Sequence, residues 1–280
     1  MFTTEEARDC GLSGADLRRA LSRGEIVRLK RGWFTAQPLP YTSERHRLRV
    51  VAELRDHPGT IPSHYSAAVM LGLPVHAPEW GRVHLMRTGP GAPQNRVGST
   101  IHRQVGDASR LDAGLAAAQT ALLCPESGLM ALDSALRLGR TTAAAFQRWA
   151  RLLEDRAGRR NLALVARLAD ARRESPLESR TALHFDRWGY QLEPQFAVPG
   201  TRYRADARIV GTAVLVEADG QGKYDTPGAA FEEKVREDDL RAAGWEVVRV
   251  THALLGDGVT LLARTRAAIE RQAGHSRPAA

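Results

Sequence analysis

Between Arg204 and Gly220 apolar and polar residues alternate on either side of Gly211-Thr212, and no other stretch of the chain restricts its local fold so tightly. Period-two alternation is the mark of a strand with one buried face. A Gly at the first central position of a two-residue loop suits a type II′ hairpin turn. That turn sets the register: Arg208 falls opposite Leu215, Asp206 opposite Glu217 and Arg204 opposite Asp219. Ala205, Ala207, Ile209, Val214, Val216 and Ala218 then form an apolar face. Arg204, Asp206, Arg208, Glu217 and Asp219 form a charged one. Directly opposed side chains have Cβ atoms about 4.5–5.5 Å apart, where like charges repel. A divalent cation held by Asp206 and Glu217 would remove the repulsion, and Mg²⁺ or Mn²⁺ suits a pair of carboxylates. The competing reading is a polar outer face whose acids are neutralised by Arg204 and Arg208.

The flanking sequence supplies the rest of a small α/β domain over residues 175–280. Ser175-Pro176-Leu177-Glu178 combines an N-cap, an N1 proline and an N3 glutamate, and so starts a helix that runs to Trp188 before Gly189. Tyr190–Val198 reads as a strand preceding the hairpin. Phe231–Ala243 reads as a helix ended by Gly244, Trp245–Thr251 as a further strand, and 257–273 as a last helix. Asp219-Gly220-Gln221-Gly222-Lys223 is not a phosphate-binding loop: that motif needs Gly at 217 and Ser or Thr at 224, where Glu217 and Tyr224 stand. It does bring Lys223 near the strand end that carries Asp219, where a lysine could hold a scissile phosphate. The alternative for Lys223 is an exposed loop lysine.

Charge separates this segment from what precedes it. Residues 1–174 hold 26 Lys+Arg and 17 Asp+Glu, a net +9, whereas 175–280 hold 14 and 15, a net −1. The first part is the one suited to phosphates. Thr3 or Thr4 caps a helix through Cys10, and Ser13 caps a second, Gly14–Ser22. Ile26–Leu29, the turn Lys30-Arg31-Gly32, and Trp33–Thr35 make a hairpin. Helix, turn, helix and basic hairpin is the winged helix-turn-helix order. It nominates Arg18, Arg19 and Arg23 on the helix for the major groove of double-stranded DNA, with Arg18 and Arg19 contacting bases or phosphates, and Arg28, Lys30 and Arg31 for phosphates or the minor groove. The alternative is a protein-docking module. Tyr41–His57 is a basic helix closing a domain over 1–57.

Residues 58–174 read as a mixed α/β middle domain. A capped helix starts at Ser63 and stops at Gly72 and Pro74. Strands cover Arg82–Met86 and Ser99–Arg103 around a Gly/Pro-rich loop, and helices cover 111–123, 128–138, 143–155 and 161–173. His57, His64, His76, His84 and His102 show no metal-ligand spacing, and His64 reads as a helix-start or surface residue rather than a ligand. No G-x-S-x-G hydrolase elbow is present. Two cysteines, the polar start Met1-Phe2-Thr3-Thr4 and the lack of a long apolar run point to a cytoplasmic protein with no membrane span.

Ser175 to Arg180, Asp206, Glu217-Ala218-Asp219-Gly220, Lys223-Tyr224, Glu233-Lys234, Arg236-Glu237-Asp238 and Gly244-Trp245 with Arg249 together resemble the Vsr-like family, named for very-short-patch-repair endonucleases. Residues 1–57, with the Ser63–Pro74 stretch, are similar to AbiEi-type antitoxins and their winged-helix domain. The resemblance implies an α+β chain ending in a restriction-endonuclease-like αβββαβ core, with Asp206 and Glu217 as Mg²⁺ ligands and Glu178 as a further acid on the leading helix. Asp219 stands where that family has its catalytic lysine, so Lys223 or Lys234 would have to substitute. Two functions follow as expectations. One is a Mg²⁺-dependent DNA endonuclease or nickase in phage defence or DNA processing, with Asp206, Glu217, Asp219, Lys223 and Glu178 as its catalytic set. The other is an antitoxin and autorepressor with a cognate toxin partner and an inactive nuclease-like domain.

Overall fold

A computed structural model describes residues 1–36, 42–220, 236 and 238–275. The chain divides into two compact units, one of residues 1–132 and 140–166, the other of 133–139 and 167–280. Segments read from sequence as 1–57 and 58–174 thus share one unit up to residue 166, residues 133–139 excepted. Among the described residues no helix is long and apolar enough to cross a membrane.

The first unit opens with β1 (Phe2–Thr3), α1 (Thr4–Asp9) and α2 (Gly14–Ser22), then β2 (Val27–Lys30) and β3 (Trp33–Thr35). Both helices start on reciprocal capping boxes, Thr3 with Glu6 and Ser13 with Asp16. β1 escaped the sequence reading, because two residues show no periodicity. It pairs antiparallel with β3 to give the order β1-β3-β2. Ala7, Leu17 and Phe34 form the small core beneath. α3 (Ser43–Asp56) packs on this sheet and on β5. β4 (Thr60–Pro62), β5 (Val83–Arg87), β6 (Gln94–Arg96) and β7 (Ser99–His102) make a second sheet in the order β4-β5-β7-β6, with β5 and β7 parallel. β6 lies inside the stretch expected to be loop; its exposed polar residues gave no strand signal. α4 (His64–Met70) and α5 (Ala113–Leu123) complete the core with α6 (Pro125–Arg137) and α7 (Ala143–Arg151). α5 is apolar on every side and buried from Ala113 to Ala121, as a central helix must be. α7 ends at Arg151, short of Asp155, and α8 spans Arg160–Leu168, short of residue 173. Past Leu168 the chain leaves the helix because Asp170 bonds the Arg172 amide and Arg173 turns inward to Asp133.

His46 in α3 carries a pH dependence. It is 1% exposed, with Nδ1 at 3.2 Å from the Trp80 carbonyl and Nε2 at 2.9 Å from Ser66 Oγ. The rings of Tyr65 and Trp80 flank it, and Arg49 adds a like charge. Burial lowers its pKa from 6.5 to about 4, against the pull of the Trp80 carbonyl. The unfolded chain therefore binds a proton here between pH 6.5 and 4 that the folded chain refuses. The stability His46 gives is complete above pH 6.5 and is lost as pH falls towards 4. At about 1.4 kcal/mol per unit, wild type should lose about 2 kcal/mol more than His46→Gln between pH 7.5 and 5 in urea melts. Equal losses in the two proteins would refute the assignment.

The second unit contains α9 (Pro176–Arg187), β8 (Leu192–Ala197), β9 (Arg204–Ile209), β10 (Val214–Ala218), β11 (Glu246–Val250), α10 (His252–Gly256) and α11 (Gly258–His275). Residues 236 and 238–242 are helical. The sheet order is β11-β10-β9-β8, antiparallel except for β10 with β11. Five residues of the expected apolar hairpin face, Ala207, Ile209, Val214, Val216 and Ala218, join Leu177, Phe185, Val248 and Leu261 in one core, whereas Ala205 packs with Val198, Leu215 and Leu240 in a second, so β10 is buried on both faces. The last helix expected over 257–273 is found as Gly258–His275; a short helix that the sequence reading missed, His252–Gly256, precedes it, with Thr251 capping it through the Leu254 amide.

Candidate nucleic-acid interface and the carboxylate hairpin

α2 turns Leu17 into the core and leaves Arg18 and Arg19 exposed one residue later; Arg23, its C-cap, is also exposed. Arg19 and Arg23 are four residues apart, so they share a helix face. Arg19 bonds Asp16, and Arg23 lies 3.6 Å from Glu25. Such exposed pairs cost little to exchange for a phosphate. In the hairpin Arg28 and Arg31 are exposed, and Arg28 stacks over Phe34 at 5.7 Å. Gly32, with φ +80°, makes the turn that a side-chain-bearing residue would resist. Lys30 behaves differently from the other five. Its Nζ lies 2.7 Å from Glu53 and 3.0 Å from Asp56 of α3, and it is only 17% exposed. Trp33 Nε1 donates to the same Asp56 at 3.1 Å. Lys30 thus fastens the hairpin to α3, and the outward cations are Arg18, Arg19, Arg23, Arg28 and Arg31. Sequence could not separate Lys30 from its neighbours, because its partners lie more than twenty residues away.

The carboxylate hairpin has the register read from its turn, with Leu215 opposite Arg208 and Val216 opposite Ala207. The pairing ends there; continued one step it would bring Asp206 to Glu217. Their surroundings differ from a solvent face. Glu217 is 5% exposed and accepts from Arg236 Nη2 at 2.6 Å. Asp206 Oδ2 accepts from the Ala218 amide at 2.7 Å. Asp219 accepts from Arg249 Nη1 at 2.8 Å, and Arg249 is the β11 residue registered against Glu217. The arginines expected to neutralise this face look elsewhere: Arg204 pairs with Glu174 at 3.0 Å and Arg208 with Glu193 at 2.9 Å. Glu217 is thus neutralised by an arginine, and Asp206 is held by a backbone amide. That arrangement does not fit Mg²⁺ as it stands, since Arg236 already supplies the positive charge at Glu217. Glu178 is buried, with Oε2 accepting from the Glu174 amide at 3.0 Å and Gln195 Nε2 at 2.9 Å. It lines the same small void as Asp206, but Glu217 does not. Lys223 and Lys234 lie outside the described residues. Among the described residues, the three-residue grouping able to hold a metal is His64, His84 and His102 rather than these acids.

No curated protein matches the chain, and no solved structure does. A family model described as "Transcriptional regulator, AbiEi antitoxin" matches residues 1–35, the stretch that builds α1, α2 and the β2–β3 hairpin with its outward arginines. Over those residues the chain is similar to antitoxin transcriptional regulators, and the match ends at Thr35, the last residue of the hairpin.

Proposed function

We propose that this chain is a DNA-binding transcriptional regulator of the antitoxin type, with residues 1–35 as its DNA reader and a toxin protein as its partner. The observation that carries the reading is the family match over the same helices and hairpin that expose Arg18, Arg19, Arg23, Arg28 and Arg31. α2 is an exposed basic helix of the size the major groove admits, and the hairpin arginines would engage flanking phosphates. The rest of the chain would dock the toxin and hold the reader in place.

Binding to a duplex from the chain's own promoter tests this. Removing Arg18 and Arg19 together should weaken binding about 10–100-fold. Each phosphate contact carries roughly 0.9 of the slope of log K against log salt, so the slope should flatten by about two. Arg204→Ala, equally exposed but in the second unit, should change neither quantity. Unaltered affinity and slope in the double variant would remove α2 as the reader.

A metal-dependent endonuclease is the second reading. It is supported by the hairpin register, Leu215 opposite Arg208 and Val216 opposite Ala207, which continued one step would bring Asp206 to Glu217. Against it stand Arg236 on Glu217 and Arg249 on Asp219. Under the regulator reading, purified protein leaves supercoiled plasmid intact in Mg²⁺ and in Mn²⁺. Nicking that both Asp206→Ala and Glu217→Ala abolish would restore the enzyme.

A further inference from the structure

Three histidines with no spacing signal meet inside the first unit. His84 of β5 and His102 of β7 sit on one face of the second sheet, on adjacent parallel strands. His64 is the first residue of α4, and its ring centroid is 4.0 Å from that of His102 and 5.1 Å from that of His84. Each offers a ring nitrogen, and these atoms lie within 4.8 Å of one another. His84 Nδ1 and His102 Nε2 are 2.9 Å apart. An ion with bonds of about 2.0–2.1 Å in tetrahedral geometry needs its ligand nitrogens about 3.3 Å apart, a small adjustment from here.

The surroundings orient these rings as a ligand set would require. Tyr65 Oη donates to the Glu79 carbonyl at 3.1 Å, so its single proton is committed there. The contact of His84 Nε2 with Tyr65 Oη at 3.0 Å must then be an N–H donating to the phenol oxygen. This fixes the tautomer and leaves the His84 Nδ1 lone pair facing the other rings. A ligating histidine is typically held this way by an outer partner on its second nitrogen. Ser63 Oγ sits 3.1 Å from His64 Nδ1, leaving Nε2. His64 is held at φ +51° with its amide on Gln119 Oε1 at 3.3 Å. A left-handed conformation is costly for a non-glycine residue and collects at functional positions. All three rings are kept neutral by burial, which pushes His84 to about 3, His102 to about 4 and His64 well below its ordinary value. Neutral imidazole is the form that binds metal.

Beside the cluster lies a cavity of about 220 Å³ lined by His64, His102, Gln119, Arg156, Leu122 and Leu153. Among the described residues no carboxylate joins the three nitrogens, so the protein supplies three neutral ligands, and two of the three residues, His64 and His102, line this cavity. Arg156 lines this cavity together with His64 and His102. Its guanidinium would favour an anion over a further cation there.

We propose that His64, His84 and His102 form a three-imidazole site for a divalent transition-metal ion of the zinc class, with an open fourth position on the Arg156 side. Imidazole sets suit zinc and its neighbours and not hard ions such as Mg²⁺. The site is independent of the regulator reading, and its test involves no DNA.

The experiment uses the full chain, stripped with a chelator and titrated with Zn²⁺ by calorimetry and with Co²⁺ by visible absorption. One equivalent should bind, and Co²⁺ should give the intense bands of a tetrahedral nitrogen site. Adding azide should shift those bands by entering the open position; unshifted bands would overturn that position. His102→Gln should lose at least about 100-fold in affinity. Tyr65→Phe, which removes the outer partner of His84 together with the bond to the Glu79 carbonyl but no ligand, should lose about 10–100-fold. Circular dichroism and melting curves verify that each variant is folded. Should a variant fail to fold, the wild-type titration decides alone: no saturable binding of either ion overturns the site. Saturable binding undiminished in a folded His102→Gln overturns it equally.

Discussion

Asp133→Ala is expected to cost the second unit about 3–5 kcal/mol. Asp133, 1% exposed, is where that unit concentrates its buried charge. Its Oδ1 accepts from the Asp170 amide at 2.8 Å. Its Oδ2 accepts from Arg173 Nη1 and Ser179 Oγ, each at 2.8 Å. Burial pushes its carboxyl up from the ordinary range, while Arg173 and the other donors pull it back. Arg173 is itself buried and has the Leu168 carbonyl as a further partner. Truncating the acid strands that guanidinium, and breaking one half of a buried pair leaves an uncompensated charge. Melting temperature should fall by roughly 10 °C, at about 2–4 °C per kcal/mol for a domain of this size. Asp133→Asn should be milder, because the amide keeps one acceptor. Arg204→Ala breaks a pair that is more than half exposed on both sides and should change stability by less than about 0.5 kcal/mol. If Asp133→Ala and Arg204→Ala melt within 2 °C of each other, the buried pair does not hold the start of α9.

Gly158→Ala is the second large effect, and it acts on the first unit. Gly158 has φ +83°, and a Cβ built there would lie 2.1 Å from the Leu122 carbonyl oxygen and 2.9 Å from its carbon. Both are backbone atoms of the end of α5, so no flexible side chain can move aside. The substitution combines a left-handed conformation, costing about 1 kcal/mol or more, with a main-chain clash that must displace α5. We expect a loss above about 3 kcal/mol in chemical denaturation. Gly11→Ala is the matched control: φ is +81° and nothing lies within 4 Å, so it should cost only about 1 kcal/mol. Similar losses at the two positions would mean that α5 yields freely to the Gly158 loop. Because Gly158 closes the turn beside Ala157 and Arg156, the variant should also disturb the cavity next to the three histidines.

The Ser175–Arg180 stretch shows how far local sequence carries function. The cap, the proline and Glu178 at N3 were legible, and the helix starts there. The roles were not. Ser179 turns out to be a ligand of Asp133, and Arg180 faces His252 Nδ1 at 3.0 Å. Glu178 caps its own N-terminal turn through the Glu174 amide. A motif that reads as catalytic on resemblance is thus accounted for, residue by residue, by partners within the fold.

What the sequence by itself determined is what depends on near neighbours. Two capping boxes, the basic second helix, the hairpin turn at Gly211 and the register placing Arg208 against Leu215 are decided by contacts a few residues apart, or by the period-two alternation of the strands. Tertiary structure decided which charges are available. Lys30 is consumed by Glu53 and Asp56, Glu217 by Arg236, Asp219 by Arg249 and Asp133 by Arg173. It also gathered His64, His84 and His102 from three elements into one cluster. A buried polar group must find a partner, and packing rather than chain spacing chooses which one reaches it.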